Sequence, residues 1–437
     1  MELKQYKLGE LMEVSRGMSL SGEYYATEGD LMRLTLGNFD YHNNCFKDDK
    51  SKDNLYFNGS VKKEFVLNKD DIITPLTEQA IGLLGSTAKI PCSGKYIQSQ
   101  DVALIKCNEK LHPDFAFYLI PSKMVRNQLS AAAQQTKIRH TSPDKIKDCT
   151  VFVPEYSAQE KIGKLLSRID EKISINRQIN RNLEELAKQI YDYWFVQFDF
   201  PNEDGKPYKS SGGKMVYNEF LKREIPIGWE VKLLKNVIEI KRGITITEKQ
   251  TTSGNIKVVA AGLTYSYLNG ESNRSANCIT VSGSGANAGF VNFWREPIFA
   301  SDCSTIQFDN DIDTILCYHT LKKQEKRFYQ ISHKSAQPHV LPSDIGEIPM
   351  VIPSNNTKER ITHFFIKTNK QIAENTKELE HLTALRDSLL PLLMNGQVTL
   401  NSCLSAILNN FFRYIVLEKY NWIKKRFSGF LMKINFN

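Results

Sequence analysis

The feature that most constrains this chain is an internal repeat. Lys7-Leu8, Glu13-Val14 and Arg16-Gly17 recur in order as Lys232-Leu233, Glu239-Ile240 and Arg242-Gly243. Further along, Ile97-Gln98-Ser99-Gln100-Asp101 matches Ile298-Phe299-Ala300-Ser301-Asp302, and His140-x-x-Pro143-x-x-Ile146 matches His339-x-x-Pro342-x-x-Ile345. Val153-Pro154 and Glu160-Lys161-Ile162 then match Ile352-Pro353 and Glu359-Arg360-Ile361. The last three pairs share an offset of 199 positions (His140 to His339), while the first sits at 226 (Arg16 to Arg242), so the second copy is shorter by about 27 residues within its first part. Each pair is weak alone, but an ordered series converging on one offset is the signature of duplication. With 437 residues the chain has room for two domains, each with its own core.

Each copy has two parts. The first reads as short strands and turns. Phe65-Val66-Leu67, Asp71-Ile72-Ile73-Thr74, Val102-Ala103-Leu104-Ile105 and Ile256-Lys257-Val258-Val259 look like strand pieces, and breaks such as Ser282-Gly283-Ser284-Gly285 punctuate them. The second part reads as a long helix. In the first copy Ser157 is placed to cap it, with Glu160 completing a capping box. Ile162, Ile169, Asn176, Leu183 and Ile190 then fall every seven residues, and Leu165, Ile179, Leu186 and Tyr193 take the other seam position, with Lys172 the exception. That heptad pattern predicts a coiled-coil-like helix of roughly 60 Å. The second helix, after Asn356, carries Ile361, Asn375, Leu382 and Leu389 at matching places; Thr368 weakens its seam, as does Glu378 unless Leu379 takes over. Asn176 and Asn375 are equivalent by the repeat. They either fix the register at a cost in stability or face water.

Between the first helix and the second copy lie Pro201, Asp204-Gly205, Pro207, Ser210-Ser211-Gly212-Gly213 and Pro226, a composition that predicts a linker. The eight cysteines form no C-x-x-C pair and flank no histidine cluster, which argues against a metal site or a disulfide framework and for free thiols in a reducing cytosol. Charges throughout Met1–Leu11 argue against a secretory signal, and no stretch is apolar enough to predict a membrane span. A net charge of +8 permits nucleic-acid binding without establishing it. No G-x-x-x-x-G-K-[ST] phosphate loop is present, and Asp204-x-Lys206 lacks the acidic partner on a preceding strand that a nuclease would need.

The arrangement resembles the specificity subunit of type I restriction-modification systems. The resemblance covers about residues 1 to 398 and is most specific in Leu385-Arg386-Asp387-Ser388-Leu389-Leu390-Pro391 with Gly396, and in the stretch from Glu203-Asp204-Gly205-Lys206-Pro207-Tyr208-Lys209-Ser210 to Pro226-x-Gly228-Trp229. It implies an α+β protein: two similar mixed α/β target-recognition domains joined by two long antiparallel helices that form a coiled-coil-like spacer, with a pseudo-twofold internal repeat. The expected division is a recognition domain over 1–156, a spacer helix over 157–200, a linker over 201–228, a second recognition domain over 229–356, a second helix over 357–398, and an extension over 399–437 that the family pattern does not explain. The implied partners are double-stranded DNA, two modification (methyltransferase) subunits and the ATP-dependent restriction (translocase and nuclease) subunits, in the cytoplasm and without a membrane. The chain itself would be no enzyme. It lacks the glycine-rich and Asn-Pro-Pro-aromatic motifs of a methyltransferase, so S-adenosylmethionine, ATP and magnesium would belong to those partners.

Reading two separated half-sites needs two readers and a stiff spacer, because successive major-groove turns recur at about 34 Å. The readers must bring hydrogen-bonding side chains to base edges, with phosphate contacts fixing the register. The candidates in the first copy are Gln134, Gln135, Thr136, Lys137, Arg139 and His140. Those in the second are His333, Lys334, Ser335, Gln337 and His339, with Ser282, Ser284 and Asn287 in another loop. The competing reading is a hydrated surface loop whose histidine caps the next helix, with Asp101 and Asp302 as turn residues. Two rival functions remain open: a helical scaffold whose domains bind proteins, and the remnant of a combined restriction-modification enzyme.

Overall fold

The computed structural model describes residues 2–49, 51–78, 82–132, 139–332 and 339–400. They form two compact units, one of Met1–Ile175 with the described part of Glu380–Asn437, the other of Asn176–Leu379. Each unit therefore holds one globular part and a share of both long helices, Tyr156–Tyr191 and Asn355–Met394.

In the first unit a four-stranded antiparallel sheet runs in the order Ala88–Lys89, Ile72–Pro75, Val102–Cys107, Met12–Arg16. Ile72–Pro75 and the first four residues of Val102–Cys107 are buried without alternation, as expected of strands covered on both faces. A second sheet orders Tyr96–Ile97, Met32–Arg33, Tyr56–Phe57 and Tyr25–Ala26, with Tyr96–Ile97 parallel to Met32–Arg33. Leu34, Phe39, Leu67, Ile73, Ile90, Val102 and Leu104 fill the core around them. The first strand, Lys4–Lys7, pairs antiparallel with Thr150–Val153 just before the long helix. The expected strand at Phe65-Val66-Leu67 is instead a 3-10 turn, Lys63–Phe65, followed by a single bridge from Val66 to Ile97.

The second unit repeats this order of elements. Its sheet runs Lys241–Arg242, Cys303–Ile306, Cys278–Ser282, Val291–Trp294. A smaller sheet again contains a parallel pair, Ile256–Val259 with Ile298–Ala300, and Glu230–Leu233 closes on Pro349–Ile352. The repeated pairing of these segments has a contact behind it. A Cβ on Gly17 would lie 2.3 Å from the carbonyl oxygens of Gln98 and Ser99, and one on Gly243 would lie 2.0 Å from that of Ser301. The Arg-Gly pairs and the segments ending at Asp101 and Asp302 match because each glycine admits the other segment's backbone.

The long helices differ from expectation at their starts and seams. The first begins at Tyr156, one residue early: the Glu155 carbonyl accepts from the Ala158 and Gln159 amides. Ser157 lies inside the first turn, with Oγ donating to Glu155 Oε1, and Glu160 pairs with Lys164 rather than forming a capping box. At its far end a π-turn, Asp192–Val196, continues it, and Phe198 leaves it in the left-handed region at φ 64°. In the second unit the two helices run antiparallel around a polar layer. Asn176 Nδ2 donates to Glu378 Oε2 (2.9 Å), Asn180 Nδ2 to Thr376 Oγ1 (3.2 Å), Asn375 Nδ2 to Asn180 Oδ1 (3.0 Å) and Gln371 Nε2 to Asn375 Oδ1 (3.0 Å). Asn176 and Asn375 are fully buried, so neither faces water, and Glu378 serves the seam as a hydrogen-bond acceptor instead of ceding its place to Leu379. Ile162, Ile169, Leu183, Ile190, Ile361 and Leu382 are buried, as are Thr368 and the exceptional Lys172, while Leu389 is half-buried.

The stretch expected to be a linker is ordered. Phe200 stacks on Tyr208 (4.7 Å) and on Trp229 (5.0 Å), Met215–Asn218 and Arg223–Pro226 form a hairpin, and the Asp199 carboxylate accepts from the Ser210 amide. Its Gly, Pro and Ser content marked turns, but its aromatic residues supply apolar area that a flexible linker lacks.

Candidate nucleic-acid interface

In the first unit the short strand Thr77–Glu78 pairs with Arg139–His140, placing His140 opposite Thr77. Thr77 Oγ1 donates to Asp101 Oδ1 (3.3 Å) and lies 3.2 Å from His140 Nδ1. A hydroxyl has one proton. With it given to the carboxylate, Thr77 accepts from Nδ1–H, the tautomer in which Nε2 is the acceptor. His140 is exposed, so that nitrogen is available to solvent or a ligand.

The second unit builds the same corner from different residues. Ser284 bridges His339 in antiparallel fashion, and Ser284 Oγ donates to Asp302 Oδ2. The Val340 amide donates to the Gly283 carbonyl (3.0 Å), as the Thr141 amide donates to that of Leu76 (2.8 Å). Thr77 and Ser284 thus hold equivalent places. Sequence reading missed Thr77, because its separation from Ser284 matches neither the early nor the late offset of the repeat.

The other candidates are placed as follows. Arg139 is half-buried and shared between Glu78 Oε2 (3.4 Å) and Ser130 Oγ (3.3 Å). Glu78, itself buried, is committed further: its Oε1 accepts from the backbone amides of Gly82, Leu83 and Leu84. Ser282 is buried, with its hydroxyl 3.4 Å from the Gly262 carbonyl, so it does not belong to an exposed face. Asn287 is half-buried in a 3-10 turn, Gly285–Asn287. Gln134, Gln135, Thr136 and Lys137, like His333, Lys334, Ser335 and Gln337, lie outside the described residues. Those two segments hold the same position in the chain, between the helices Lys123–Ala132 and Glu325–Ser332 and the paired histidines. The extension is likewise outside the described residues beyond position 400.

A recess of about 190 Å³ adjoins Asp101, lined also by Arg33, Thr35, Asp49, Lys52 and Gln100. Arg33 lies over the Tyr25 ring at 3.9 Å and donates to the Asn54 carbonyl. Burial raises the Asp49 carboxyl, but hydrogen bonds from Ser51 and Thr35 outweigh it and hold the group below its ordinary range. No group of three or more His, Cys, Asp or Glu suited to a metal ion occurs among the described residues. Burial pushes the Cys278 and Cys303 thiols up to about 12, which makes them poor nucleophiles. No helix among the described residues is long and apolar enough to cross a membrane.

A family model described as the type I restriction modification DNA specificity domain matches residues 1–185 and 226–384. The chain is 22% identical over 384 residues to the HindI specificity subunit of Haemophilus influenzae, covering 69% of this chain and 81% of that one. It is 26% identical over 145 residues to the MjaIX specificity subunit of Methanocaldococcus jannaschii, an alignment spanning 33% of this chain and only about a third (32%) of that relative. Its fold is similar to the crystal structure of the type I restriction-modification S subunit from M. genitalium, with a TM-score of 0.61 and 16% identity over 90% of this chain and 96% of that one. With two matched segments covering most of its length, the chain belongs to the type I restriction-modification DNA specificity family.

Proposed function

We propose that the chain reads a split DNA target for a type I restriction-modification complex. Each globular part, 1–156 and 229–356, reads one half of the target, and the long helices, as an antiparallel spacer related by a pseudo-twofold repeat, set the gap and dock two modification subunits. The chain supplies specificity and no catalysis; S-adenosylmethionine, ATP and magnesium act on the modification and restriction subunits. The observation that carries this reading is the duplicated corner, Thr77–Asp101–His140 in one unit and Ser284–Asp302–His339 in the other. Both corners end a segment rich in amide, hydroxyl and basic side chains. His140, whose Nδ1 is held by the Thr77 hydroxyl, offers Nε2 to a base amino group in the major groove, such as adenine N6 or cytosine N4.

The test removes seven residues from each long helix at repeat-equivalent places and maps methylation by the complex reconstituted with its modification subunits. The gap between half-sites should change while both half-sites stay the same. Altered half-site bases, or binding indifferent to DNA sequence as a protein scaffold would show, would refute the reading.

A further inference from the structure

At the 199-residue offset of the repeat, Ala187 corresponds to Arg386 and Asn369 to Asp170. In the first unit Arg386 fills its place: Nη1 donates to Asp170 Oδ1 (2.9 Å), and Tyr118 Oη donates to Asp170 Oδ2 (2.6 Å). In the second unit Ala187 contributes a methyl group, and beside it opens a cavity of about 740 Å³. Small-molecule sites commonly measure roughly 300–1,000 Å³.

The cavity floor is aromatic. His319 stacks on Tyr191 with centroids 5.2 Å apart, and Tyr318 (5.2 Å) and Phe365 (5.5 Å) surround its other sides. His319 is nine-tenths buried and lines the cavity, and its ring nitrogens meet no hydrogen-bonding partner among the described residues. Burial, reinforced by Arg295 and Lys323, depresses its pKa to about 3, so it is a neutral donor and acceptor. The wall carries Arg295, whose side chain is 18% exposed. Its Nε donates to the neutral Asn369 amide (2.7 Å), and its ion pair among the described residues is a long one, 3.5 Å to the half-exposed Glu184. Where the first unit sets a carboxylate against its guanidinium at 2.9 Å, this unit leaves a largely buried cation with one long ion pair, lining the same cavity as the stacked rings and an imidazole open to it.

We propose that this cavity binds a small planar aromatic anion, with the ring on the Tyr191–Phe365 floor, the anionic group at Arg295 and a polar atom at His319. The probe is 1-anilinonaphthalene-8-sulfonate, titrated by fluorescence into the full chain. One saturable site is expected. Ala187→Arg, which copies the residue filling the first unit, and Ala187→Met, an uncharged plug, should each weaken it about tenfold or more by occupying its space. Arg295→Gln should weaken it several-fold without filling the cavity. Each variant is compared at an unchanged melting temperature. No saturable site, several equivalent sites, or one site that neither plug affects would overturn the proposal.

Discussion

Arg386 is the most informative single residue to perturb. It lies near the end of the second long helix, its side chain is 11% exposed, and it meets Asp170 (26% exposed) at 2.9 Å. Its other carboxylate partner, Asp387, is 58% exposed and adds little in water. Arg386→Met keeps the helix-forming tendency and the apolar stem but leaves Asp170 with only the Tyr118 hydroxyl. Burial and the Asp170 carboxylate push that phenol up, so it stays a protonated donor. Breaking a fully buried pair costs about 3–5 kcal/mol; with Asp170 one-quarter exposed, about 2–3 kcal/mol is expected. Because two units share the helices, one global transition would blur the effect, so the assay is hydrogen exchange of the peptide covering Pro113–Leu119, which carries Tyr118. At tenfold per 1.4 kcal/mol, its amides should exchange about 30- to 150-fold faster. Asp387→Asn should change exchange by less than about threefold, and Arg386→Met and Asp170→Asn together should fall well short of additive. Equal effects of Asp170→Asn and Asp387→Asn, or strict additivity, would refute the argument.

Gly17→Ala and Gly243→Ala should each destabilise their own unit by about 1–3 kcal/mol, read by hydrogen exchange of that unit's sheet, because the added methyl meets backbone carbonyls that cannot swing away. His319 gives a signed pH dependence. Its folded pKa, about 3, lies below its unfolded value of about 6.5, so the unfolded chain binds the extra proton and stability is complete above pH 6.5 and declines as pH falls toward 3. From pH 6.5 to 5 that contribution amounts to about 2 kcal/mol, and His319→Gln should flatten this part of the profile measured by melting. Arg139→Ala should weaken duplex binding and lower the slope of log affinity against log salt by about 1; an unchanged slope would mean that its contact with Glu78 is purely structural.

The strands Ile72–Pro75 and Val102–Cys107 were legible because burial on both faces writes itself into adjacent residues. The histidine of each candidate corner was legible because the two stand at repeat-equivalent positions, whereas the matching aspartates read as turn residues. Ser284 was legible as a loop hydroxyl, but Thr77, its counterpart, was not: the length change between the copies falls on its side of the alignment, and a two-residue strand has no periodicity to betray it. Similarly, Ser282 read as a loop hydroxyl but closes a buried strand, Cys278–Ser282, because the turn begins only at Gly285.

Duplication, the two long helices and family membership were determined by the sequence alone, since heptad spacing and a constant offset are properties of order along the chain. Only the tertiary structure decided that Asn176 and Asn375 are buried and hydrogen-bonded, that Phe200, Tyr208 and Trp229 order the supposed linker, and that Ala187 faces an open cavity where Arg386 is packed. The physical reason is range. Periodicity reports which face of an element turns inward, whereas a polar group's partner and a small residue's empty neighbourhood depend on residues up to 200 or so positions away, brought together only when the chain closes on itself.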